Sequence, residues 1–216
     1  MTSIRHSTWV STVSAMALIA LALLISTGCE DSGGGGGGGD YGDNDPNLVV
    51  CVGDSLTAGL GNNGASYPGR LAAMTGKTVV NSGVNGARTA ESIGRVRSAV
   101  SKKAGTVCIL LGSNDAINGA DPGSVKESLR LMIQTCKANK TRVVVGTLPP
   151  QIGSHALFND NCTAISREIR AVAGEEGARV ANLEGAFGDP SLYDSDGLHM
   201  SDSENQRLAE IFKGKL

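Results

Sequence analysis

Leu48-Val49-Val50-Cys51-Val52-Gly53-Asp54-Ser55-Leu56 decides the fold of this chain. An unbroken apolar run that stops at a glycine marks a strand buried on both faces, since a half-exposed strand would alternate apolar with polar. Such strands belong to parallel sheets covered by helices on either side. The pattern recurs at 78–80, 106–111, 142–147 and 179–183. Helical stretches lie between and after these runs, at 66–74, about 89–103, about 123–139 and about 155–174. In the third of these, Val125, Leu129, Met132 and Ile133 share one stripe. A last helix starts at Ser201 or Asp202, either able to cap it, and runs to about Phe212. Five alternations of strand and helix predict an α/β protein with a three-layer α/β/α arrangement and a five-stranded parallel sheet. In open sheets of this kind ligands bind beyond the carboxyl ends of the strands. Ser55, Gly86 and Asn114 all follow strand ends.

The first 28 residues stand apart. They carry Arg5 and then an apolar run at 10–25, too short to span a membrane comfortably and reading as the core of a secretory signal. The run ends in Leu24-Ile25-Ser26-Thr27-Gly28-Cys29, which resembles a bacterial lipobox. That resemblance implies an exported lipoprotein, lipidated at Cys29, membrane-anchored and facing the periplasm or cell exterior. Ser26 departs from it, standing where a lipobox usually has Leu; an ordinary signal peptide cleaved nearby is the alternative. Residues 29–46 are acidic and glycine-rich, with seven consecutive glycines at 33–39, and read as a flexible tether. The domain is then 47–216, about 170 residues, enough for one well-cored unit and too few for two.

With 19 basic and 21 acidic residues and no basic run, the charge pattern argues against nucleic acid as a partner. An exported protein meets an oxidising compartment, so the cysteines need a reading. Cys51 and Cys108 fall inside apolar strands and read as small buried residues. Cys136 and Cys162 lie on two helices that could be neighbours, which leaves a disulfide open. No Cys or His spacing suits zinc.

Four short blocks carry the chemistry: Gly53-Asp54-Ser55-Leu56, Asn81-Ser82-Gly83-Val84-Asn85-Gly86, Gly112-Ser113-Asn114-Asp115 and Asp196-Gly197-Leu198-His199. Together they supply a serine, a backbone glycine, a side-chain amide and an Asp–His pair, the parts needed to attack a carbonyl and hold the resulting oxyanion. Two other patterns fail. Gly59-Leu60-Gly61-Asn62-Asn63-Gly64 matches the dinucleotide fingerprint, but the glycines neither follow the strand directly nor precede an acidic residue at the end of the second strand. Thr57 stands where the G-x-S-x-G elbow requires glycine.

These blocks, with Ser66-Tyr67-Pro68, resemble the GDSL or SGNH serine esterases and lipases, closest to the bacterial arylesterase and acyl-thioesterase/lysophospholipase branch. The resemblance covers nearly the whole domain. It implies a flavodoxin-like sheet and a serine-esterase mechanism with no metal or organic cofactor. Met200 stands where the family often has Pro after the histidine.

Of the two histidines beyond the signal, His155 has no nearby carboxylate in sequence and reads as a solvent-facing residue at a helix start. His199 has Asp196 three positions earlier, a spacing that lets the carboxylate accept from Nδ1–H and leaves Nε2 free for Ser55. Expected oxyanion donors are the Ser55 N–H, the Gly86 N–H and the Asn114 amide; Gly86 matches the family's glycine better than Gly83. Asp54 and Asp115 are expected to hold the loops that carry Ser55 and Asn114. Loops 59–67, 116–123 and 151–160 would line the pocket, with few large apolar residues, which points to an ester or acyl-lipid substrate with short to medium acyl chains. The alternatives are a carbohydrate O-deacetylase using the same residues and a non-catalytic envelope lipoprotein.

Overall fold

The computed structural model describes residues 40–60 and 66–216. Strand β1 (Asp45–Gly53) runs into a one-turn helix α1 (Ser55–Ala58), followed by α2 (Tyr67–Thr75) and β2 (Thr78–Gly83). Then come α3 (Ile93–Ser101), β3 (Ala104–Leu110), the short α4 (Ser113–Ile117), α5 (Pro122–Ala138) and β4 (Arg142–Gly146). The chain finishes with α6 (Asn159–Glu176), β5 (Arg179–Ala181) and α7 (Asp202–Lys213). All strands pair in parallel, in the order β2-β1-β3-β4-β5. The five-stranded parallel α/β/α arrangement is the one expected. Its order reverses at β1, between β2 and β3, and that switch point opens a crevice above the strand ends.

Strand alternation sorts the core into two layers. Val50, Val52, Val107, Ile109 and Val145 face one way and pack on apolar stripes of α3, α5 and α6. Val49, Cys51, Cys108, Leu110 and Val144 face the other way, onto α2 and α7. There the fully buried Tyr67 ring stacks on Phe212, centroids 5.0 Å apart and nearly coplanar at 10°.

The disulfide left open between Cys136 and Cys162 is not formed; all four described cysteines are free and buried. Both sit in the apolar layer under α5 and α6, where burial pushes their thiols up to about 12 and about 11, far from the reactive thiolate. The folded body also starts before Asn47. Asn44 is buried and donates its amide to the Asn139 carbonyl at 2.6 Å, while the Arg142 guanidinium sits 4.4 Å over the Tyr41 ring. Residues 40–46 therefore pack on the domain, whereas the signal, Cys29 and the rest of the tether lie outside the described residues. The fourth expected helix begins at Asn159, preceded by a 3-10 segment at Gly153–Phe158. The second is likewise α3 with one 3-10 turn, Ala90–Ser92, before it. Among the described residues no helix is long and apolar enough to cross a membrane.

Candidate active site

Ser55 is the first residue of α1, placed at the carboxyl end of β1 by the sharp turn at Asp54. The Asp54 carboxylate caps that helix, accepting from the Leu56 N–H at 3.0 Å. Gly59 ends α1 after one turn with φ +88°, in the left-handed region. The close fit of this corner explains the neighbouring glycine: a Cβ on Gly53 would lie 1.8 Å from Thr57 Oγ1 and 2.8 Å from the Leu110 carbonyl. Ser55 is held but not sealed, with 7% of its surface exposed.

His199 arrives from the far end of the chain. An isolated antiparallel bridge between Tyr193 and Met200 closes a loop, inside which Asp194 N–H donates to the His199 carbonyl at 2.9 Å. Met200 is thereby a buried anchor of this loop. Within the loop Asp196 Oδ1 accepts from the Leu198 and His199 N–H groups, each at 2.9 Å. Its Oδ2 lies 2.5 Å from His199 Nδ1, and His199 Nε2 lies 2.9 Å from Ser55 Oγ. Burial alone would raise the Asp196 carboxyl. The His199 ring and the two N–H donors outweigh it and hold the carboxyl down at about 2. Asp196 is thus ionised at neutral pH, which places the proton on Nδ1 and leaves the Nε2 lone pair facing the Ser55 hydroxyl.

The segments that carry the expected oxyanion donors touch through Asn114, which meets Asp54 and Ala87, the chain neighbours of Ser55 and Gly86. Gly86 has φ +74°, so glycine suits it for its backbone conformation. Among the described residues no protein atom lies within 4 Å of where a Cβ would be, so the protein itself does not crowd this position. Crowding belongs to Gly83 instead, where a Cβ would fall 2.2 Å from the Ala58 nitrogen. Asn114, in α4, points its amide at the Ala87 carbonyl, 3.2 Å, and at Asp54 Oδ2, 3.4 Å. Among the described residues no acceptor is paired with the Ser55 or Gly86 N–H.

Asp54 and Asp115 hold the loops, as expected. Asp115 Oδ2 accepts from both the N–H and the hydroxyl of Thr89, at 2.9 and 2.8 Å, tying α4 to the segment after Gly86. Burial pushes the Asp54 carboxyl, only 1% exposed, up to about 7, against the downward pull of the Leu56 N–H and of His199.

Two supporting roles escaped the sequence reading, that of Arg95 and that of His155, which read as a solvent-facing residue. Arg95 reaches from α3 under the site and donates to the Gly53 carbonyl at 2.7 Å, to the Ser82 carbonyl and to Ser92 Oγ, lacing the ends of β1 and β2 together. His155 donates Nδ1–H to the Asp196 carbonyl at 2.8 Å, while Ile152 N–H donates to the Gly197 carbonyl at 2.8 Å, so the 151–158 segment braces the Asp–His loop. No motif flagged either residue, because both act through backbone carbonyls distant in sequence. Of the loops expected to line the pocket, Tyr67 belongs to the core instead, and residues 61–65 lie outside the described residues.

A sequence model of the GDSL-like Lipase/Acylhydrolase family matches residues 51–207, a span holding all four blocks. No protein of curated function matches the chain by sequence. Among solved structures it is similar to a G-D-S-L family protein from Desulfitobacterium hafniense, with 21% identity and a TM-score of 0.71 over 79% of this chain and 99% of that one. It is also similar to TesA, at 29% identity and a TM-score of 0.67 over 78% and 97%. The acetyl xylan esterase AlAXEase shares the fold at 21% identity, with a TM-score of 0.67 over 77% and 98%.

Proposed function

The chain belongs to the GDSL-like Lipase/Acylhydrolase family, and we propose that it hydrolyses carboxylic esters or thioesters through Ser55, His199 and Asp196. The observation that carries this reading is the continuous relay from Asp196 Oδ2 through the His199 ring to Ser55 Oγ, at 2.5 and 2.9 Å. His199 takes the Ser55 proton at Nε2 as Oγ attacks the carbonyl carbon. The negative oxygen that forms is met by the N–H groups of Ser55 and Gly86 and by the Asn114 amide. His199 then returns the proton to the departing alcohol or thiol. Water, activated by the same ring, releases the acyl group from Ser55. Asp196 stays ionised throughout and stabilises the imidazolium.

The segments flanking the site favour short to medium acyl chains. Leu157, 72% exposed, is the most open large apolar side chain among the described residues, and few others of its size stand on the 151–158 segment. Export and anchoring through a lipid on Cys29 complete the proposal, supported by the lipobox-like sequence. Intact-mass analysis of the processed N-terminus, with Cys29→Ala as control, tests that part.

The site is tested with p-nitrophenyl acetate, butyrate, octanoate and palmitate on wild type and Ser55→Ala. The expected outcome is turnover that peaks at acetate to octanoate and drops at least about a thousandfold in Ser55→Ala. Rates climbing steadily to palmitate would overturn the chain-length assignment. Inactivity on all four, with release of acetate from an acetylated sugar, would assign the same residues to carbohydrate deacetylation.

A further inference from the structure

Seven of the chain's eight lysines gather at one end of the domain, the end where the strands begin and the long helices finish. Lys77 precedes β2, and Lys102 and Lys103 join α3 to β3. Lys137 and Lys140 flank the turn from α5 to β4, and Lys213 and Lys215 close α7 and the tail beyond it. The segments are in mutual contact. Asp45 N–H donates to the Lys103 carbonyl at 2.8 Å, and Lys77 Nζ donates to the Pro46 carbonyl at 2.9 Å. Arg179 Nη1 donates to the Lys215 carbonyl at 2.8 Å, and the Arg142 guanidinium covers Tyr41.

Acidic residues on this end neutralise only part of the charge. Asp40 pairs with Lys140 at 2.7 Å and Glu176 with Lys137 at 3.6 Å, while Asp43 and Asp45 lie along the entering chain. Lys102, Lys103, Lys213 and Lys215 are exposed and, among the described residues, have no carboxylate within 4.0 Å. The opposite end, around the Ser55–His199 site, carries Asp121, Asp160, Asp189, Asp194 and Asp202, of which Asp202 pairs with Arg70. The domain is therefore polarised along the strand direction.

Helix dipoles explain part of this, since cations favour helix C-termini. They do not explain why lysine fills the left-handed positions 103 and 140, one residue past the caps of α3 and α5. These are the two non-glycine residues with positive φ among the described residues, at 61° and 56°. Glycine or asparagine would fill such turns with less strain. The chain holds lysine at both, on the same face.

Asp40 also sits here, so the 39 residues that precede it, with the apolar run and the glycine tract, join the domain at this end. We infer that the lysine end lies against an anionic membrane surface, with the Ser55 site turned toward the opposite side. A surface of this kind attracts juxtamembrane lysines, and the attraction fades over a Debye length. The inference does not depend on esterase activity or on lipidation of Cys29.

The test uses the full chain and co-flotation with vesicles of neutral phosphatidylcholine, or of the same lipid with about 30 mol% phosphatidylglycerol. The N-terminal apolar segment contributes to both, so the anionic increment is the readout. That increment is expected to be tenfold or more at about 0.1 M salt and to vanish near 0.5 M. It should also vanish in the combined Lys102→Gln, Lys103→Gln, Lys213→Gln and Lys215→Gln variant, while turnover of a soluble ester and the melting temperature stay as in wild type. Equal binding to both vesicles, or an increment that survives the four substitutions, overturns the inference. Binding to heparin with no response to phosphatidylglycerol would also overturn it and assign the face to an acidic polymer. Loss of turnover in the wild type would strike the esterase reading and leave this one standing.

Discussion

Asn114 holds a carboxamide between two acceptors of unequal quality. The contact with the Ala87 carbonyl is 3.2 Å and that with Asp54 Oδ2 is 3.4 Å, long enough to be the bond surrendered when an oxyanion forms. Asn114→Ala should therefore lower kcat on the order of a hundredfold to a thousandfold and move KM little. A raised KM with unchanged kcat would show that the amide binds substrate without favouring the transition state. Asp54 yields a second prediction with a definite sign. Its folded carboxyl titrates near 7, above its usual 3.8, so the folded chain keeps the proton when the unfolded chain has lost it. Its contribution to stability is then fully present below about 4 and declines as pH rises to about 7, by an amount on the order of 4 kcal/mol. Asp54→Asn should flatten melting temperature against pH across that window. An equal decline in wild type and variant would place its origin elsewhere.

At the scale of elements, α7 and α2 are joined by one stacked pair. Tyr67 opens α2, gives its N–H to Asn205 Oδ1 at 3.1 Å and stacks on Phe212 near the end of α7. Phe212→Ala removes a fully buried ring from this contact and should cost about 3–5 kcal/mol in urea unfolding. A loss below about 1 kcal/mol would mean that α2 and α7 close over the gap. Long periodic helices such as α5 were legible almost to the residue, because a 3.6-residue apolar stripe is a strong local signal. The stretch 153–158 was not. Its side chains carry no stripe, and its conformation follows from bracing Asp196 and Gly197, 41 or more positions away.

For the whole molecule, the two apolar layers enclose every described cysteine as a thiol. Reductant should leave the melting temperature unchanged, and Cys51, Cys108, Cys136 and Cys162 should resist alkylation until the chain unfolds. A fall in melting temperature on reduction would show a disulfide. The sequence left one open between Cys136 and Cys162, on two helices that could be neighbours. Proximity of two helices says nothing about whether two side chains point at each other, and disulfide geometry tolerates little error.

Taken by itself, the sequence determined the layered α/β/α class, the strand and helix order, and the serine, amide, aspartate and histidine placed after strand ends. Each rests on local information: apolar periodicity, a glycine after a strand, a three-residue spacing between Asp196 and His199. Only the tertiary structure decided that His199 Nε2 meets Ser55 Oγ across 144 positions, that Gly86 is left-handed while Gly83 is crowded, and that Arg95 and His155 brace the site. It alone also collected seven lysines from three connections and the chain's last residues onto one face. These are long-range consequences of parallel pairing and packing, which bring strand starts together at one end and strand ends together at the other.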